Sequence, residues 1–264
     1  MLGMLNGVWL YRNFIISSIR SDFRARFTRS RLGGLWMIIH PLAQVAMFAF
    51  VLSTVLSAKL PGIDSRYTYS IYLMSGMMAW SLFVDVVTRC QNIFIDSGSL
   101  LKKLVFPRIC LPVIVTGISL ISNLLLFAAI VVIFALLGHI PGASIIWMPL
   151  LLLITLAFSI GLGLIVGVLN VFLRDIGQIM PVALQFWFWF TPVVYLPNHI
   201  PENYRPWMMA NPVYHIVTGY QQVLLFNKPP ALFPLLLVGI GSLALLAFAL
   251  FLFRKASPEM VDVL

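Results

Sequence analysis

The chain has 264 residues, of which 61% are hydrophobic and only 9% charged; an ordinary soluble domain carries about a quarter charged residues, so a water-exposed surface cannot be made from this composition. Its net charge of +9 would suggest nucleic-acid binding in a soluble protein. Here basic loops held at the cytoplasmic face of a membrane account for it, and no nucleic-acid partner is expected.

The chain opens on a basic segment whose first long apolar run begins near Trp36. That is too late for a secretory signal, so no cleavage is expected. Residues 5 to 31 hold too much charge to span. Ile15, Ile16, Ile19, Phe23 and Phe27 nevertheless recur at spacings of three and four, with Arg20, Arg24 and Arg31 interleaved. This describes an amphipathic helix in the headgroup plane; a cytoplasmic helix packed on a partner protein is the other arrangement.

A helix needs about 20 apolar residues to cross the hydrocarbon layer. Six runs of that order are placed at 36–58, 67–88, 109–137, 146–172, 178–196 and 231–253. The fifth is irregular: it starts near Pro181, carries Phe186, Trp187, Phe188, Trp189 and Phe190, and meets Pro192, which should kink or end it. Lys and Arg in short loops mark the cytoplasmic side. With six spans, thirteen fall on the side of the termini and four (Lys59, Arg66, Arg205, Lys228) on the other, so both termini are expected in the cytoplasm.

Between the last two spans, Leu196 to Pro230 is too apolar for a solvated loop. Asn211-Pro212 breaks it into two short helices. They are read as re-entrant half-helices on the outer side, since non-helical backbone at membrane depth must be buried in protein or line a wet cavity. The expected fold class is therefore an all-α integral membrane protein with six transmembrane helices, an N-terminal amphipathic interfacial helix, and re-entrant outer half-helices between spans five and six. It forms a single membrane domain over 1–264: an interfacial segment 1–35, the six-helix region 36–253, and a cytoplasmic tail 254–264.

Few residues suggest chemistry. Asp85 is the acid that falls inside a span, and Arg89 four residues later makes a helix-spaced ion pair the preferred reading over proton coupling. His40 and His215 lack partners at ligand spacing, as do Cys90 and Cys110, so no metal site or disulfide is suggested. Arg174 with Asp175, and Glu202 with Arg205, are ion-pair or partner-contact candidates. There is no GxxxxGK[ST] phosphate loop and no catalytic constellation. The chain is not expected to be an enzyme by itself, nor to bind a cofactor; if ATP drives it, ATP and Mg sit on a separate subunit. The aromatic cluster of the fifth span is either an interfacial belt or a set of pore-facing rings on which sugars could slide.

Four segments in register carry a resemblance: Arg24–Pro41 (RARFTRSRLGGLWMIIHP), Ser97–Pro112 (SGSLLKKLVFPRICLP), Asn170–Met180 (NVFLRDIGQIM) with Thr191-Pro192-Val193, and Asn211-Pro212. Read together they resemble the permease subunit of the bacterial type-2 ABC exporters of lipid-linked polysaccharides, namely O-antigens, capsular polysaccharides and teichoic acids. The resemblance runs over essentially the whole chain.

It implies a homodimer in the bacterial inner membrane, with two copies of a nucleotide-binding ATPase subunit beneath. The ATPase would push on a coupling element comprising Gln91, Asn92, Asp96, Ser97, Leu100 and Leu101. Spans one and five would line the channel, putting Phe186, Trp187, Trp189, Phe190 and Tyr195 against sugar. An outer gate would include Trp207, Asn211, Pro212, Tyr214 and Tyr220. The sequence departs from the family at Gly219 to Gln222, where a charged residue would be expected. Arg20, Arg24, Arg26 and Arg29 would attract either the diphosphate of a polyprenyl-linked polymer or anionic membrane lipids, the latter at about 1 kcal/mol per basic residue. The function expected is ATP-driven export of lipid-linked polysaccharide of O-antigen type. The alternatives are an exporter of a drug or small lipid with the same architecture, an ion-coupled secondary transporter, and a membrane enzyme of lipid-linked sugar metabolism, which the missing clusters of acids or His disfavour.

Overall fold

In lipid no water satisfies the backbone, which leaves helices or closed barrels as spanning structures. The computed structural model describes residues 7–29, 32–51, 68–98, 106–197 and 201–263, and every regular element among them is helical. In chain order these are α1 (Arg12–Arg29), a 3-10 turn Gly33–Leu35, α2 (Trp36–Phe50), α3 (Thr68–Asp96), α4 (Cys110–Leu136), a 3-10 turn Ala143–Trp147, α5 (Met148–Phe172), α6 (Ile176–Trp189), a 3-10 turn Glu202–Tyr204, α7 (Arg205–Met209), α8 (Pro212–Leu224) and α9 (Leu232–Val263).

Among the described residues, five helical segments are long and apolar enough to cross a membrane: Gly33–Phe50, Thr68–Asp96, Cys110–Leu136, Ala143–Phe172 and Leu232–Met260. The segment expected as a span at 178–196 is different. Its helix, α6, has 14 residues, about 21 Å at 1.5 Å per residue, against about 30 Å of hydrocarbon. The chain then turns at residues 190–195, where Pro192 has no N–H with which to continue the helix. Other helices satisfy carbonyls that the end of the helix leaves without backbone donors. The Tyr69 hydroxyl donates to Val194 O (2.6 Å), the Tyr72 hydroxyl is shared between Tyr195 O (2.8 Å) and Pro192 O (3.0 Å), and Gln221 Nε2 donates to Pro192 O (3.1 Å). Gly76 on α3 admits this turn: a Cβ there would lie 2.8 Å from Gln221 Nε2 and 3.2 Å from Val193 O.

α5 is the central helix and packs most extensively on α3 and α9. Its sequence Ser159-x3-Gly163-x3-Gly167 puts small residues on one face, the spacing that lets membrane helices approach closely. A Cβ on Gly163 would meet Cys90 Cβ at 2.7 Å, and one on Gly167 would meet Cys90 O at 2.4 Å. α1 does not stand apart from the spans. It lays Ile15 against Cys110, Ile114 and Ile118 of α4, and Phe14 sits 5.3 Å from Phe106. Ile19 and Phe23 are half-buried there, whereas Ile16, expected on the same stripe, is exposed. The tail expected from 254 is no separate segment: α9 runs on as helix to Val263, with Phe253 stacked on Phe94 at the end of α3 (5.4 Å) and Met260 buried.

Candidate functional site

α2 and α6 are the two apolar helices with the barest surfaces. α2 buries Val45 and α6 buries Leu184 and Phe188. They are joined by Phe48 stacking on Phe188 (5.8 Å), which also meets Trp80 of α3 edge-on (5.4 Å). On the open side lie Phe186 and Trp189 of α6 and Phe190 just after it, 66%, 55% and 66% exposed, and Met47 and Phe50 of α2. The other two aromatics expected to line a channel have inward duties. Trp187 packs edge-on to Phe83 (5.4 Å) and Phe158 (6.3 Å), and its Nε1 donates to Asn211 Oδ1 at 2.9 Å. The Tyr195 hydroxyl donates to Trp189 O at 2.6 Å, tying the turn to the end of α6.

Beneath α2 lie two cavities with Gln44, Met77, Trp80, Val84 and Thr88 in common. One, of about 510 Å³ between α2, α3 and α4, has a polar wall that includes His40, Asp85, Arg89, Ser119 and Asn123. The other, of about 410 Å³, runs toward Pro181, Phe188 and Trp189 of α6. Asp85 is the ion-pair partner expected: Arg89 Nε lies 2.8 Å from Asp85 Oδ1, and Ser119 Oγ donates to Oδ2 at 2.5 Å.

At the C-terminal end of α3 the expected coupling residues divide. Asn92 and Asp96 are exposed, and Ser97 N donates to Ile93 O. Leu100 and Leu101, with Lys102 and Lys103, lie outside the described residues. Gln91 is buried rather than presented outward. Its environment follows from Pro181, which has no N–H to offer the carbonyl four residues back, that of Gly177. Gln91 Nε2 donates to Gly177 O at 3.0 Å, while Asn170 Nδ2 at the end of α5 donates to Gln91 O at 2.9 Å. Three helix ends thus meet in one polar junction. Arg174 and Asp175, in the turn beside it, are exposed.

Arg20 and Arg24 of α1 are exposed around a shallow hollow with Phe23 and Thr28. Arg26 is paired with Asp22 at 2.8 Å, and Arg29 closes the helix with its side chain outside the described residues.

At the opposite end, Asn211 caps α8 by accepting from Val213 N (3.0 Å), and Pro212 occupies the first helical position, where a missing N–H costs nothing. Asn211 Nδ2 also donates to Thr191 Oγ1 at 3.0 Å. Trp207 is 79% exposed, whereas Tyr220 is wholly buried near Thr155. Burial pushes the Tyr214 phenol up, with Arg205 opposing. Arg205 itself pairs with Glu202 at 3.6 Å, and His215 Nε2 lies 2.7 Å from Met209 O. In the uncharged stretch Gly219 to Gln222, Gln221 serves the Pro192 turn and Gln222 Oε1 accepts from Ala231 N.

Sequence reasoning missed Asn170, Gln221, Tyr69 and Tyr72. The available signals were Pro181, which frees the carbonyl of Gly177, and Pro192, which ends a helix and so leaves carbonyls of the turn for side chains elsewhere to satisfy.

Comparison with known proteins places this arrangement. A family model described as ABC-2 type transporter matches residues 14–225. The O-antigen export system permease protein RfbA of Myxococcus xanthus is 27% identical over 264 residues, 99% of each chain. A protein of the same name from Klebsiella pneumoniae is 25% identical over 81% of this chain and 80% of its own. The polysialic acid transport protein KpsM of Escherichia coli is 21% identical over 74% and 75%.

Proposed function

The chain belongs to the ABC-2 type transporter family, and from that premise we propose that it is the channel-forming permease of an ATP-driven exporter that moves lipid-linked polysaccharide of O-antigen type across the bacterial inner membrane. The observation that carries the cargo is the similarity to the M. xanthus O-antigen permease along 99% of both chains; the polysialic acid transporters match over about three quarters of theirs.

The energy source in this reading is a separate ATPase subunit, which binds ATP and Mg, because the sequence has no phosphate loop of its own. Two copies of the chain join through the bare faces of α2 and α6 and enclose the path, with Phe186, Trp189 and Phe190 offering flat apolar rings to sugars. What supports the dimer is the exposure of these rings on two helices that bury so little within one chain.

The topology proposed keeps six crossings, α6 and the 190–196 turn together making the fifth, with both termini in the cytoplasm and α7 and α8 re-entrant from the outer side. The supporting features are the charge distribution of the loops and the capped carbonyls of the turn. α1, docked on α4, and the short helical turn before it expose Trp9, Leu10 and Ile16 beside Arg12, Arg20 and Arg24, which suits a helix at the cytoplasmic lipid interface.

Deleting the gene and assaying surface polysaccharide together with polyprenyl-linked polymer inside the cell tests the reading. Loss outside with accumulation inside is expected. Unchanged surface polymer, in cells that make it, would move the assignment to an exporter of a small lipid or drug.

A further inference from the structure

α6 is attached to the rest of the chain in an unusual way for an apolar helix. Its fully buried residues are Leu184 and Phe188, with Met180 and Trp187 half-buried against the core. Its two ends are held in addition by specific hydrogen bonds. At the cytoplasmic end, Gly177 O, left open by Pro181, accepts from Gln91 of α3 at 3.0 Å. At the outer end, Trp187 Nε1 donates at 2.9 Å to Asn211, the residue that caps α8 and also donates to Thr191 Oγ1 after α6. The two pinned residues are ten positions apart along the helix, about 15 Å.

The cytoplasmic pin is incompletely satisfied. Gln91 Oε1 and Asn170 Oδ1, in residues that are each 2% exposed, are buried without a hydrogen-bond partner among the described residues. A buried, unpartnered acceptor is costly in a low-dielectric interior. An arrangement that rotates the ends of α3, α5 and α6 against one another, and brings a donor to either acceptor, would offset the cost of breaking the present bond.

We infer that Gln91 and Trp187 are positioning residues at the two ends of one rigid linkage, through which movement at the cytoplasmic end of α3 is passed along α6 to Asn211 and the start of α8. The inference rests on the reading that a separate ATPase acts at the α3 end. The sequence of contacts is continuous. Displacement of α3 shifts Gln91; Gln91 pulls Gly177; α6, a single helix that fully buries two of its fourteen residues, moves as a body; Trp187 carries Asn211, which sets where α8 begins. The indole N–H, not the ring alone, is what the linkage needs from Trp187.

The test uses the purified complex of this chain with its ATPase in nanodiscs, carrying Glu202→Cys as a reporter just before α7. Glu202 is exposed and the native Cys90 and Cys110 are buried, so labelling by a maleimide reads the introduced thiol. ATP with vanadate is expected to change the labelling rate. Trp187→Phe, which keeps the ring against Phe83 and Phe158 and loses the donor, should shrink that change about fivefold, the shift that one hydrogen bond's worth of differential stability produces. Gln91→Met should do the same from the other end and reads the linkage by itself if Trp187→Phe fails to assemble. The double variant should lose no more than the worse single one, because both pins serve one path; independent defects would multiply.

An undiminished nucleotide response in Trp187→Phe, a multiplicative loss in the double variant, or no response in the parent complex overturns the linkage. Export is scored separately in cells. Unchanged surface polysaccharide on deletion removes the cargo reading and leaves the labelling result standing.

Discussion

Replacing Gly167 with Ala adds one methyl group at the tightest point between α5 and α3. The new Cβ would lie 2.4 Å from Cys90 O, 3.2 Å from Cys90 C and 3.4 Å from Phe94 Cε2. A carbon and a carbonyl oxygen rest at about 3.3 Å or more, so the helices must separate by close to an ångström, and the obstacle is backbone that no rotamer change can move. Overpacking of this kind costs about 1–3 kcal/mol. Asn170 lies three residues along the same helix and donates to Gln91 O at 2.9 Å; the separation stretches that bond, at about 1 kcal/mol. Ala returns up to about 1 kcal/mol of helix propensity. The net loss is near 2 kcal/mol, enough to change the folded-to-unfolded ratio about thirtyfold. Gly241 on α9 has no atom within 4 Å of its ideal Cβ, so Gly241→Ala keeps the propensity gain alone and should be neutral or stabilising. Unfolding by SDS titration in mixed micelles measures both. Equal stability of Gly167→Ala and the parent, or an equal loss in Gly241→Ala, would refute the close-approach argument.

Two further outcomes follow from the polar contacts. Tyr72→Phe keeps the buried ring but strips Tyr195 O of its donor, leaving Pro192 O with Gln221. It should cost about 1–3 kcal/mol in the same titration and speed proteolysis at the turn; a change near zero would mean that the turn is held by packing alone. Asp85→Asn keeps an acceptor for Ser119 and removes one side of an ion pair whose groups are 28% and 36% exposed. At about 1 kcal/mol or less for such a pair, export should persist, whereas its complete loss would restore the proton-coupling role for Asp85.

The five long helices were legible because length and hydropathy alone decide them. The docking of α1 was only half legible: spacing marked Ile15, Ile19 and Phe23 as one stripe, but nothing in the sequence said that α4 would cover it, and Ile16 fell outside. The continuation of α9 past Phe253 was missed because Arg254 and Lys255 read as the end of a span. Charge ends a membrane crossing without ending a helix.

The aromatic run of α6 shows the deeper limit. In water, apolar periodicity marks the buried face; in lipid both faces of a helix are apolar, and Phe186, Trp187, Phe188, Trp189 and Phe190 carry no sign of which points inward. What does not lose its meaning in lipid is the polar atom, since every donor and acceptor there must find a partner. Pro181 frees the carbonyl of Gly177, four residues back, and the helix end at Pro192 leaves that residue's own carbonyl without a helical donor. Gln91 and the pair Tyr72 and Gln221 are the side chains that come to them, from 86, 120 and 29 residues away. Those long-range bonds fix the orientation of α6. Once Gly177 faces α3 and Trp187 faces Asn211, helical geometry leaves Phe186, Trp189 and Phe190 on the open side. In a membrane chain of this kind, orientation is better sought from proline-freed carbonyls and the buried amides and phenols that could reach them than from the pattern of its apolar residues.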